Sequence, residues 1–312
     1  MIFRSAIVTF WQTVLFSFLW GGIAVVNLSA EDWDATLLSA AEHGEINPLT
    51  EALNHGAHVD ARNVEGWTPL IFAAKIGNLE ITKALLAKGA NANGRSSSDE
   101  GSTTLAFAVH GGNLQVIQTL LDHGAKVDGR AKNGMTPLVY ACQNGKLEVA
   151  AFLLSRGGDV DLFGSADSGG EFYNPLMAAA REGHAEVVKL LMAKGAKVDK
   201  KNNAGTTALM EVAKRPYPQI LKMLLDKGAN VNTRGTHGHT ALIYAAYNGH
   251  LENIKLLLAA GADPFATATD DPDPEREFGR YDAVALAEQQ DHPEAVGLIR
   301  AAQRRLRPPS GH

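Results

Sequence analysis

The chain reads as an all-α solenoid of stacked helix–turn–helix units with projecting turns, and three observations carry that reading. A glycine followed by a small residue recurs as Gly56-Ala57, Gly89-Ala90, Gly124-Ala125, Gly157-Gly158, Gly195-Ala196, Gly228-Ala229 and Gly261-Ala262, in steps of 33, 35, 33, 38, 33 and 33 residues. Leu37, Leu70, Leu105, Leu138, Leu176, Leu209 and Leu242 keep the same steps. Two independent positions that share even the irregular spacings mark a stacked repeat architecture. Third, each unit carries the start and stop chemistry of two short helices.

The unit from Gly66 to Ala90 shows that chemistry in order. Thr68 suits a helix N-cap, because its hydroxyl accepts a bond from an orphan backbone N–H. Pro69 suits the first helical position, where no N–H is needed. Ala73 and Ala74 let this short helix pack closely against its neighbours. Gly77 ends it with a residue that tolerates the left-handed conformation. A second helix follows, with apolar residues at helical spacing, as in Val187, Leu190 and Leu191 of a later copy. Gly89 is its stop. The predicted units run approximately over 34–61, 62–94, 95–129, 130–161, 162–200, 201–232 and 233–265, with a cap at 281–302. Together they form a repeat domain over 31–302, followed by a disordered tail over 303–312.

These residues resemble the ankyrin repeat, with its T-P-L opening and G-A closing. Thr68-Pro69-Leu70 and Thr136-Pro137-Leu138 match directly, and Thr103-Thr104-Leu105, Asn174-Pro175-Leu176, Thr207-Ala208-Leu209 and Thr240-Ala241-Leu242 nearly so. The G-H-x-E turn stands at Gly183–Glu186 and Gly249–Glu252. There are departures. The fifth copy has Phe172 in place of its turn glycine, and the sixth has Pro216 where the inter-helix glycine falls. The first copy opens weakly, and the last, with Val284-Ala285-Leu286, has a shortened hairpin at His292-Pro293; both read as caps.

Residues 1–30 read as an address. Arg4 precedes an apolar run from Ala6 to Val26, and Leu28-Ser29-Ala30 precedes the acidic Glu31-Asp32. That order describes a secretory signal cleaved after Ala30. An uncleaved anchor is the alternative, since the run approaches membrane-spanning length. Either way the repeats face away from the cytoplasm, because Arg4 stays inside. The expected location is periplasmic or secreted, or anchored to an inner membrane facing the periplasm.

Removing residues 1–30, which hold Arg4 and no acidic residue, takes the net charge from −5 to −6. That mild acidity gives no support for a nucleic-acid partner. Cys142 is the only cysteine, so no intramolecular disulfide forms, and its place among first-helix alanines predicts a small buried residue.

No catalytic, metal or cofactor site assembles from the sequence. His110-Gly111-Gly112-Asn113 looks like an oxyanion segment, but Gly112 keeps the inter-helix register and no nucleophile elbow accompanies it. His237 and His239 supply half a metal site at most. The acidic stretch from Asp270 to Glu277 lacks the ligand order of a calcium loop and reads as a solvated finger. Arg300, Arg304, Arg305 and Arg307 read as positive charge at a frayed helix end. The loops at 95–101 and 162–172 exceed the basic period, and such insertions cluster on one face.

The resemblance implies a non-catalytic protein-binding module with no small-molecule substrate. In the ankyrin family contacts fall on projecting turns and on the exposed side of the first helix. Position by position this gives Trp67, Lys75, Ile76, Met135, Gln143, Tyr173, Arg181, Lys214, Arg215, His239 and Tyr247. Trp, Tyr, Met, Arg and His on such a face resemble interface anchors. The expected groove centres on Trp67, Met135, Tyr173, Arg181, Arg215 and Tyr247, though plain packing by Trp67 and Tyr173 over neighbouring turns stays open. Two roles fit by family analogy: support of a periplasmic enzyme, and immunity against an exported toxin. An enzyme built from His237, His239 and the 270–277 loop is the rival of another class.

Overall fold

The computed structural model describes residues 30–97, 101–164, 172–269 and 280–306. Residues 1–29, the acidic stretch from Asp270 to Glu277 and the end of the tail lie outside them. Within them sixteen α-helices follow one another as hairpins. The inner helices are α1 (Ala30–His43), α3 (Pro69–Ile76), α5 (Thr104–Gly111), α7 (Pro137–Gln143), α9 (Pro175–Glu182), α11 (Ala208–Ala213), α13 (Ala241–Tyr247) and α15 (Ala283–Gln289). Their outer partners are α2 (Ile46–Asn54), α4 (Leu79–Ala87), α6 (Leu114–Asp122), α8 (Leu147–Ser155), α10 (Ala185–Ala193), α12 (Pro218–Asp226), α14 (Leu251–Ala259) and α16 (Pro293–Leu306). Each inner helix packs on the next inner helix, which makes a solenoid. Among the described residues no helix is long and apolar enough to cross a membrane.

The start chemistry is the same in seven inner helices. Thr68, Thr103, Thr136, Asn174, Thr207, Thr240 and Asp282 each accept a hydrogen bond from the backbone N–H three residues on, at 2.8 to 3.4 Å. Such a cap is worth about 1 kcal/mol. The first seven outer helices, α2 to α14, stop in the same way. The residue after the closing glycine donates its N–H five residues back, as Ala90 does to Leu85 O at 3.0 Å. Gly89 has φ +87° and open space where a Cβ would sit, so backbone conformation alone selects glycine there. Gly111 is the opposite case. A Cβ there would meet the Lys75 carbonyl oxygen at 2.6 Å, so closeness of α3 and α5 selects it.

The register leucines from Leu37 to Leu242 are all buried. They belong to one core that runs from the first unit to Ile299 in α16. A second link joins the units by hydrogen bonds between their turns. Asp60, Asn93, Asp128, Asp161, Asp199 and Asn232 each accept from a backbone N–H in the next turn, at 2.8 to 3.2 Å.

Three departures from the sequence reading have local causes. A short antiparallel pair, β1 (Thr267–Thr269) with β2 (Arg280–Asp282), interrupts the all-helical plan where the last turn is lengthened. Helix α16 continues to Leu306, so 303–306 are not a disordered tail. Gln303 Nε2 donates to Pro264 O at 2.9 Å, and Ala295 and Ile299 are buried beneath the helix. In the sixth unit α11 is only 6 residues long before Pro216. Asn253 of α14 reaches across instead, and its Nδ2 donates to Arg215 O at 2.7 Å and Val212 O at 3.4 Å.

Candidate functional site

The groove is built from the last residues of the inner helices and the turns before them. Along it, cations lie over aromatic rings. Lys75 Nζ sits 4.5 Å from the Trp67 ring centroid, Arg181 lies 4.9 Å from that of Tyr173, and Lys214 Nζ lies 4.7 Å from that of Tyr244. Such pairs are attractive because the ring face is electron-rich.

At the N-terminal end the cluster is closed, and this corrects one expectation. Trp67 is not a projecting anchor, being only 5% exposed. Its ring packs 5.1 Å from Phe72 and 4.8 Å from Phe107, and the second of these comes from the next unit. Lys75 covers it and is itself exposed, as is Ile76 at 48%. Met135, at the same register as Trp67, is half-buried against the core, with its sulfur beside Gly164 of the following turn.

In the middle, Gln143 is exposed, and its carbonyl accepts from the His184 ring Nε2 at 3.0 Å. Tyr173 and Arg181 are half-buried partners of each other. The guanidinium donates to the Tyr173 hydroxyl and also lies 3.5 Å from Glu182.

At the C-terminal end four of the expected residues converge. Lys214, Arg215, His239 and Tyr247 line one pocket of about 740 Å³, between α11, α13 and α15. The pocket also involves Tyr244 and Tyr281, which no turn or helix-end rule singled out. His239 stacks on Tyr244 at 5.2 Å, and its Nε2 shares a 3.0 Å hydrogen bond with the Tyr281 hydroxyl. Lys214 pairs at 2.8 Å with Glu211, whose side chain is 2% exposed. Tyr247 is 45% exposed.

The signal that finds Tyr244 is a further register. The fourth residue after each cap is Phe72, Phe107, Tyr140, Ala178, Glu211, Tyr244 or Leu286. Glu211 is the exception in that largely apolar column, which explains why it needs Lys214.

Other candidates do not assemble. His237 is exposed with φ +66°, and its neighbour His239 is committed to Tyr244 and Tyr281. Among the described residues no three His, Cys, Asp or Glu side chains are placed to hold a metal ion, and the 270–277 stretch lies outside them. Cys142 is fully buried, and desolvation pushes its thiol far above the usual range. Asp128 is raised by partial burial and by the Asp159 carboxylate, against the Asp159 N–H and Arg130, which lower it.

Known proteins resemble this chain over its repeats. A family model for ankyrin repeats in three copies matches residues 17–96, 37–131, 93–164 and 165–268. The crystal structure of the human ASB11 ankyrin repeat domain is similar at 28% identity and a TM-score of 0.62, over 75% of this chain and 98% of that one. The ankyrin repeat, SAM and basic leucine zipper domain-containing protein 1 of Carollia perspicillata is 42% identical over 66 residues, and that of Microcebus murinus 41% over 68. Those matches cover 21% and 22% of this chain, and the chain spans 14% of the length of either relative. With capped hairpins, closing glycines and leucines all in the repeat that the model describes, the chain belongs to the ankyrin-repeat family.

Proposed function

We propose that this chain is an exported, non-catalytic scaffold that holds a protein partner in its concave groove. Ankyrin-repeat proteins are generally scaffolds for protein contacts rather than catalysts. The observation that supports the groove here is the convergence of Lys214, Arg215, His239 and Tyr247 on one open pocket. Accessible aromatic and arginine side chains of this kind carry most of the binding energy at protein interfaces.

Affinity capture from a host extract tests the reading. Arg215→Glu combined with Tyr247→Ala is expected to lose the captured partner, while Lys83→Glu on outer helix α4 keeps it. Equal capture by all three proteins refutes the groove. Export rests on the order of residues 1–30, and a mature N-terminus at Glu31 is the expected readout. Accessory factor and immunity protein are two roles of the same binding, which gene neighbourhood separates.

A further inference from the structure

The C-terminal pocket has a chemistry more specific than a general protein contact. Among the described residues that line it, three can carry positive charge, namely Lys214, Arg215 and His239, and none carries a carboxylate. Lys214 is neutralised from behind by Glu211, which is buried away from the pocket. Arg215 is exposed and has no ion pair or side-chain hydrogen bond among the described residues. The pocket therefore presents one uncommitted guanidinium beside a floor of tyrosine rings.

That guanidinium stands on a backbone fixed from below. Asn253 Nδ2 holds the Arg215 carbonyl at 2.7 Å, and the His250 ring holds the Lys214 carbonyl at 3.2 Å. Tyr244 is fixed between His239 at 5.2 Å and Lys214 at 4.7 Å. Less freedom is then lost on binding, which favours affinity. The volume of about 740 Å³ lies within the range of ligand pockets and suits a short stretch of chain. A nucleic acid needs a broad basic face, which a chain of net charge −5, with one uncommitted cation among the described residues of this pocket, does not offer.

We infer that this pocket takes an acidic peptide segment of the partner, with a carboxylate on Arg215 and a neighbouring apolar side chain on Tyr244 and Tyr247. The inference rests on the groove reading and names what occupies its C-terminal end. Arginine meets a carboxylate with two parallel hydrogen bonds, and the low-dielectric tyrosine floor strengthens them.

Peptides selected from a random phage-displayed library on the full chain test it, with binding of the synthetic winners read by fluorescence anisotropy. Winners are expected to carry Asp or Glu next to an aromatic or aliphatic residue. Arg215→Glu should weaken them at least ten-fold and Tyr247→Ala several-fold, with unchanged circular dichroism and melting. A Lys-for-Glu swap in the winning peptide should restore binding to Arg215→Glu. Winners without acidic residues, or indifferent to Arg215→Glu, overturn the inference. If Lys75→Glu weakens them instead, the groove reading stands and only this pocket fails. If neither substitution matters, or no peptide is selected, both fall.

Discussion

The two ends of the groove use the same pairing of cation and ring for different ends. In the second and third units Lys75 covers Trp67, and Phe107 from the next hairpin closes the ring off from water. In the sixth to eighth units Lys214 covers Tyr244, but the ring, stacked on His239, lines an open pocket. The difference comes from the column behind the groove. At the closed end that column supplies Phe72 and Phe107. At the open end it supplies Glu211 and Leu286 on either side of Tyr244. One device thus gives stability where the neighbouring unit is bulky and an accessible surface where it is not.

The sharpest way to break this comparison is to truncate the ring at the closed end. Trp67→Ala should cost about 3–5 kcal/mol in a urea titration, as for a buried aromatic. Tyr247→Ala at the open end should leave stability within about 0.5 kcal/mol, as exposed substitutions do. Equal losses at the two sites would erase the distinction. Next in size is Gly111→Ala, where the new methyl meets the Lys75 carbonyl oxygen. Forcing α3 and α5 apart is expected to cost about 1–3 kcal/mol. A neutral result would mean that the closed end is not tightly packed.

At the open end Asn253→Ala removes the donor for two carbonyls. Unpaired buried groups cost about 1–3 kcal/mol. Asn253 Oδ1 is itself buried without a partner, and losing it offsets part of that. The expected loss is therefore near the low end, about 1 kcal/mol. Faster amide exchange confined to residues 212–217 would locate it.

The smallest effect lies between the ends, at Asp128. Its folded pKa is raised above 3.8, so its contribution to stability is complete below 3.8 and fades as pH rises through the folded value. Asp128→Asn keeps the acceptor for the Asp159 N–H and removes the charge. The variant should equal or slightly exceed the parent at neutral pH, by no more than about 0.5 kcal/mol. The gap should close in acid. A variant that is less stable at neutral pH reverses the sign and refutes this account.

Local chemistry was legible in the sequence because each cap and stop acts within five residues. Thr68, Pro69 and Gly89 do what their types dictate. Trp67 was legible only as a choice between anchor and packing, because its burial depends on Phe107, a residue of the next unit. Tyr173 and Arg181, read as two separate anchors, turn out to hold each other within one unit, because the inner helix brings its last turn back over the residue before its cap. The pocket was half legible: the helix-end rule reached Lys214, Arg215 and Tyr247, while Tyr281 arrives from a strand after a lengthened turn. A register that was available, the fourth residue after each cap, points to Tyr244.

The Asp and Asn rungs between turns have one more consequence. Every unit with such a rung carries its own plug, a side-chain oxygen, and the unit after it supplies the socket, a backbone N–H. Because any residue except proline supplies the socket, the joint does not depend on which neighbour follows. A gene encoding such a chain can therefore gain or shed whole modules by duplication and deletion without inventing a new fastening.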